Sequence, residues 1–310
     1  MTKRLRANLM LLLTAFIWGV AFVAQDVAMD TMPPFGFNAV RTLLSALTLL
    51  LTILLLDRFG KRHPDKAITR KPQTPAERRT LWRGGLLCGV ALFVSTSCQQ
   101  LGIQCTSAGK AGFVTALYIV LVPLSGLFFR RRVGWHVWLA VAISLVGLFL
   151  LCVTSTLTVD KGDIYLMLCA VGFTCHILII DRFSPKVDCV RMSCIQFFVT
   201  SGLCGVCSAF LERPTWAGVL ACAVPIVYAG VLSGAAGYTL QMLAQRDTDP
   251  TVASLLMCLE SVFAVLAGWL LLGDLLSPRE LAGCALMFTG ILLAQAPVRQ
   301  RKLPNRVPAA

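Results

Sequence analysis

The sequence predicts an all-α integral membrane protein of ten transmembrane helices, built as two inverted five-helix repeats. Three observations carry that prediction. The chain of 310 residues is 57% hydrophobic and only 14% charged, whereas soluble domains carry roughly 25% charged residues. Apolar runs of about 20 residues, enough to cross about 30 Å of hydrocarbon, recur ten times along it. The fourth run also resembles the ninth. GIQCTSAGKAGFVTALYIVLVPLSG at 102–126 lies over AQRDTDPTVASLLMCLESVFAVLAG at 244–268 with a displacement of 142, matching Thr106 with Thr248, Ala111 with Ala253, Leu117 with Leu259 and Gly126 with Gly268. Five runs per half is odd, so the second copy must enter the membrane from the opposite side, as in many carriers with inverted repeats.

The first run, 8–28, follows Lys3, Arg4 and Arg6. It is longer than a signal-peptide core and has a counterpart in the second half, so it is expected to stay uncleaved. The second run, 34–56, opens on PFGFNAVR. The loop 57–81 after it is charged and holds Pro64, Pro72 and Pro75, which predicts a mobile cytoplasmic linker. The third run, 82–103, carries Gly85 and Gly89; the eighth, 218–242, carries Gly230 and Gly234. Such glycine pairs let helix backbones approach closely in lipid. The fourth run, 108–129, contains Pro123 and the eighth Pro225, and both should be kinked. The remaining runs are 136–154, 163–181, 190–211, 251–273 and 279–297. Lipid leaves each segment to satisfy its own backbone groups, so these are read as helices, and they are too continuous for barrel strands. Trp82, Trp135, Trp138 and Trp216 fall near span ends, where interfacial aromatics belong. The expected units are 1–154, 155–297 and a disordered cytoplasmic tail, 298–310.

The repeat extends beyond the opening match. At 155, Ala15 meets Ala170, Trp18 meets Phe173 and Arg41 meets Gln196; at 142, Gln99 meets Gln241 and Tyr118 meets Glu260; at 143, Gly147 meets Gly290. Charge agrees with inversion. With the N-terminus inside, 23 of the 28 Lys and Arg fall on cytoplasmic segments. Only Lys110, Lys161, Arg213 and Arg279 fall outside, and Arg41 lies within a span. The positive-inside rule then places both termini in the cytoplasm. RRRVGWH after the fourth run faces in, and its counterpart GDLLSPRE after the ninth faces out. The net charge of +13 is therefore read as a topology determinant, in contact with anionic lipid at most, and no nucleic-acid partner is expected. The 13 cysteines lie mostly inside spans and are read as packing residues. Cys204 and Cys207 share one helix face without a second pair, so neither a metal site nor a disulfide framework is expected.

IWGVAFV in the first span, PFGFNAVR in the second, TSAGKAGFVTALYIVLVPL in the fourth, and LESVFAVLAGWLLLGD with ELAGCALMFTGILLA in the last two resemble the EamA family of the drug/metabolite transporter superfamily. The likeness covers nearly all of 8–296, once per half. It implies a plasma-membrane protein with a central cavity between the halves, exporting or sometimes importing amino acids or other small metabolites. Two positions depart from the family pattern: Ser261 stands where Pro is frequent, and Asp274 where Glu is. The related small multidrug transporters use a carboxylate in the first span. Here only Asp26 is available, at that span's outer end, so proton antiport of their kind is not expected.

Glu260 is the one acidic residue well inside a span, and Arg41 the one clear internal cation. A charge in hydrocarbon costs about 2.5–3.5 kcal/mol or more. At 1.5 Å per residue both fall near mid-membrane, as a buried structural ion pair or as substrate or gate contacts. Trp18 could stack on a substrate or fill core. Asn38, Gln99, Gln100, Gln196, Tyr118, Tyr238 and Gln241 could bond a ligand or bridge helices. His176 could relay protons or link helices, and Lys110 could attract anions or snorkel. An ionisable group in apolar surroundings ties its charge to pH, so transport driven by, or sensitive to, pH is expected, with proton coupling and facilitated diffusion both open. No nucleotide-binding loop, HExxH or GxSxG is present, so no cofactor and no catalytic residues are expected. A carrier for a small metabolite fits best, by alternating access and with no oligomer required. An intramembrane enzyme or lipid-handling protein would cluster its ionisable groups, and a passive channel would need pore-lining rings.

Overall fold

The computed structural model describes residues 2–62, 69–105, 108–128, 133–152, 161–272 and 277–295. Thr106, the basic residues 130–132, Asp274, the middle of the 57–81 loop and the 298–310 tail lie outside the described residues, as does the side chain of Lys110. Among the described residues everything regular is helical. The order is α1 (Lys3–Met29), α2 (Pro34–Arg62), α3 (Pro75–Ile103), α4 (Ala108–Thr115), α5 (Tyr118–Phe128), α6 (Trp135–Cys152), α7 (Lys161–Phe183) and α8 (Cys189–Leu211). Then come α9 (Trp216–Ala221), α10 (Ala223–Val227), a π-helical segment (Tyr228–Tyr238), α11 (Thr239–Gln245), α12 (Pro250–Met257), α13 (Glu260–Leu272) and α14 (Pro278–Gln295).

Eight of these stretches are long and apolar enough to cross a membrane. They are α1, α2, α3, most of α4–α5, α7, α8, Ala223–Gln245 and Pro250–Leu270. Trp135–Leu151 is apolar but shorter, and α14 opens on Arg279 and Glu280. The surface suits lipid: Leu43, Leu47, Leu50, Leu51, Leu54 and Leu55 of α2 are exposed, while Asn38, Arg41, Thr42 and Ser45 of the same helix are buried.

Three expected single spans are broken. α4 gives way to α5 at Ala116–Leu117, and α12 to α13 at Cys258–Leu259. These two breaks are 142 residues apart, the displacement of the repeat. Short bonds bridge both, Leu117 N to Val114 O and Leu259 N to Leu256 O at 3.2 Å each. The third break follows from Pro225. It has no N–H to give the carbonyl four residues back, and α9 ends at Ala221. The π-helical stretch that follows turns its backbone toward its neighbours. Trp18 Nε1 donates to Ser233 O (3.1 Å), Thr14 Oγ1 to Gly237 O (3.3 Å) and Ser45 Oγ to Gly230 O (2.7 Å).

The glycine pairs do what their spacing predicts. A Cβ on Gly85 would stand 2.5 Å from Ile195 Cγ2, and one on Gly89 2.6 Å from Val199 Cβ, so α3 lies tightly on α8. Gly230 and Gly234 seat the π-helical segment on α2 in the same way, against Arg41 O and Ser45. Helices of equivalent rank also pair directly and antiparallel. Gly147 of α6 meets Gly283 of α14 while Ser144 meets Gly290, and α2 runs against α8. Packing sorts the helices into two groups that cut across the halves of the sequence. α3, α4–α5, α7 and α8 pack together; so do α1, α2, the π-helical segment with α11, and α12–α13. The α2–α8 and α5–α12 contacts join the groups, and α6, packed on α14, touches α4 of one and α13 of the other.

Candidate functional site

A buried cavity of about 40 Å³ lies where the two groups meet. One group supplies Trp18, Ala21, Phe22 and Gln25 of α1, Arg41 of α2, Ser233, Tyr238 and Gln241 from the eighth span, and Met257 and Glu260. The other supplies Gln99 of α3, Tyr118 of α5, and Phe173, His176 and Ile177 of α7. The volume holds about three waters at 10–15 Å³ each, so the site is narrow and leaves little room beyond its own side chains.

The repeat is written into this lining. Tyr118 and Glu260, matched at 142, bond each other: Tyr118 Oη donates to Glu260 Oε1 at 3.1 Å. Each opens the second half of its broken helix, α5 and α13. Glu260 therefore sits at a helix start, where the aligned peptide dipoles favour negative charge. Gln99 and Gln241 form another matched pair on the cavity, as do Trp18 and Phe173. In each matched pair one member comes from each group, so one sequence motif contributes to both walls.

Arg41 and Glu260 form no ion pair. The guanidinium donates from Nε to Asn38 Oδ1 (2.8 Å) and stacks over Phe37 with its carbon 5.4 Å from the ring centroid. Ion pairs among the described residues include Arg70–Glu77, Lys71–Asp57 and Arg191–Asp57, all away from the cavity. Both internal charges instead face the one cavity, and the structural-pair alternative falls.

Eight of the residues expected from sequence line the cavity: Trp18, Arg41, Gln99, Tyr118, His176, Tyr238, Gln241 and Glu260. Asn38 and Gln196 do not. Asn38 is fully buried, donates to Thr96 O (3.1 Å) and holds Arg41. Gln196 pairs through Oε1 with His176 Nε2 at 3.0 Å. Gln100 lies farther back, donating to Gln25 Oε1 at 3.4 Å. Each braces a cavity residue from behind.

Six of the lining residues carry aromatic rings: Trp18, Phe22, Tyr118, Phe173, His176 and Tyr238. Trp18 and Tyr238 lie 4.6 Å apart, and His176 and Phe197 each present an edge to Tyr238 at 5.7 and 5.5 Å. Tyr118 meets Phe173 at 6.5 Å. Two polar atoms on the lining, His176 Nδ1 and Gln241 Oε1, are buried without a hydrogen-bond partner. Leaving such a group unpaired costs about 1–3 kcal/mol. Among the described residues no cluster of His, Cys, Asp or Glu could hold a metal ion.

Sequence reasoning missed Ala21, Phe22, Gln25, Phe173, Ile177, Ser233 and Met257. Two signals point to some of them. Phe173 is the repeat partner of Trp18, and Phe22 and Gln25 follow Trp18 at four and seven residues along one face of α1. Ser233 and Met257 carry no such mark, because their placement depends on a π-helical segment and a helix break.

Comparison with known proteins agrees with this architecture. The EamA-like transporter family matches the chain twice, over residues 5–153 and 160–295. An uncharacterized transporter of Archaeoglobus fulgidus is 27% identical over 300 residues, covering 94% of this chain and 86% of the relative. The uncharacterized transporter YwfM of Bacillus subtilis is 22% identical, covering 95% of each. One solved crystal structure superposes with a TM-score of 0.73 at 18% identity, over 94% of this chain and 97% of that one. At that identity it speaks for the fold alone.

Proposed function

Because this chain belongs to the EamA-like transporter family, we propose that it is a secondary transporter exporting a small metabolite such as an amino acid. The observation that carries the reading is the narrow cavity between the two groups, with Arg41 and Glu260 facing the same space unpaired. A zwitterion brings a carboxylate for the first and an ammonium for the second. Aromatic walls would hold its apolar part and stack on its cation. At about 40 Å³ the site cannot hold a metabolite without expanding, so binding must accompany opening of the groups to one side. That is alternating access around a central site.

In this reading α6 and α14 complete ten spans, both termini face the cytoplasm, the halves 1–154 and 155–297 are the inverted units, and the protein lies in the plasma membrane. Glu260 is the group through which protons would couple to transport. Counterflow in proteoliposomes against a panel of amino acids tests the proposal. Saturable exchange of one labelled amino acid is the expected result. Flux that stays linear in concentration would mean a channel, and a chemically altered product an enzyme.

A further inference from the structure

The register of 155 that matches Arg41 with Gln196 also matches Asp57 with Glu212, Phe35 with Val190 and Gly36 with Arg191. The structure brings these residues together at the two ends of the antiparallel α2–α8 pair. At one end Asp57, near the end of α2, accepts from Arg191 Nη2 at the start of α8 at 2.5 Å. Lys71 Nζ stands 3.5 Å from the other carboxylate oxygen, and Thr69 Oγ1 donates at 3.0 Å. At the opposite end Glu212, just past α8, grips the start of α2. Its two oxygens accept from Phe35 N at 2.9 Å and Gly36 N at 2.7 Å. A carboxylate at one repeat position thus holds the same place on the other repeat, once at each end.

The chemistry differs for a local reason. α8 has its own N-cap, Asp188, whose Oδ1 accepts from Arg191 N at 2.9 Å. The matching residue before α2 is Pro33, which has no side-chain acceptor. The first N–H groups of α2 would be orphans, and Glu212 satisfies two of them while placing its charge at the positive end of the helix dipole. The first turn of α8 is already capped, so Asp57 takes the Arg191 side chain instead. Gly36 keeps the approach open, since a Cβ there would meet Pro214 Cβ at 3.1 Å and Ser208 Oγ at 3.3 Å.

We propose that Asp57–Arg191 and Glu212–α2 are paired latches, one at each membrane face, and that the cavity opens to a face when its latch parts while the other holds. α2 packs on the π-helical segment of one group and, more extensively, on α8 of the other, so it spans the seam between the groups where the cavity lies. Both latches are made here, and the cavity between the groups is narrow. The groups can rock apart at one end only by breaking the latch there, and the surviving latch then serves as the pivot. The inference rests on the transporter reading above.

Hydrogen–deuterium exchange of the full-length protein in lipid nanodiscs tests it without a substrate, so a failed flux assay and a failed latch remain distinguishable. In Asp57→Asn, amides in 54–62 and 189–195 should exchange about tenfold faster, while 35–38 and 208–212 exchange more slowly than in wild type. Glu212→Gln should give the mirror image. Arg191→Gln removes the first latch from its other side and should reproduce the Asp57→Asn pattern. It carries the test alone should Asp57→Asn not fold. Asp57→Glu, which keeps a carboxylate, should resemble wild type. Variants that loosen both ends together, or one end with no tightening at the other, would show static staples and overturn the proposal.

Discussion

Glu260 and Arg41 were legible as functional candidates because charge inside an apolar run is expensive. Their relation was not legible, because it depends on which way each side chain leaves its helix. Asn38 claims the guanidinium and Tyr118 the carboxylate. It follows that the two charges are separate contacts. Glu260→Gln should fold yet lose most flux, and adding Arg41→Gln should lower folded yield further, by stranding Asn38 Oδ1 at a cost of about 1–3 kcal/mol. Rescue of yield and flux in the double variant, measured by size-exclusion chromatography and counterflow, would restore the ion-pair picture. A second outcome concerns pH. If Glu260 carries the coupling proton, wild-type flux should vary across the neutral range and residual Glu260→Gln flux should be flat. Equal pH profiles for the two would remove Glu260 from coupling.

At the scale of elements, the glycine pairs of α3 and of the eighth span were readable from spacing alone. The breaks were not. Pro123 marks its helix for distortion, yet α4 ends at Thr115 and α5 starts at Tyr118, upstream of the proline. The equivalent break before Glu260 has no proline, with Ser261 in the place where one would announce it. What the two sites share is position in the repeat, with Tyr118 and Glu260 opening the second half-helices. Close packing at the glycines yields a graded prediction. Gly89→Ala forces a Cβ to 2.6 Å from Val199 Cβ and 2.9 Å from Gln196 O, an overpacking cost of about 1–3 kcal/mol. Gly202→Ala, with nothing within 4 Å of the new Cβ, should instead stabilise α8 by roughly 0.5–1 kcal/mol. Melting temperatures in one detergent should move in opposite directions, and a drop of equal size in both would contradict the α3–α8 packing.

For the whole molecule, the sequence repeat suggests that one half moves against the other, and the packing rearranges that expectation. The first half contributes α1 and α2 to one group and α3 with α4–α5 to the other, and the second half is divided in the mirrored way. A repeat is visible in sequence because residue types recur at a fixed displacement. Partnership is invisible because it depends on interfaces that form only when both copies are present. The contacts of α3 with α7, of α2 with α8 and of α6 with α14 all cross from one half to the other. Within a half, neighbours such as α2 and α3 touch far less. An isolated half would leave Gly85, Gly89, Arg41 and Thr200 without the surfaces that bury them, and TM helix association depends on such close packing and polar contacts. Residues 1–154 expressed alone should therefore be degraded or aggregate, and so should 155–310. The two fragments produced together should assemble into a complex that co-purifies and exchanges substrate. Recovery of either fragment alone as a folded monomer, judged by a cooperative melt and a single chromatographic peak, would mean that the halves and not the crossed groups are the units of folding.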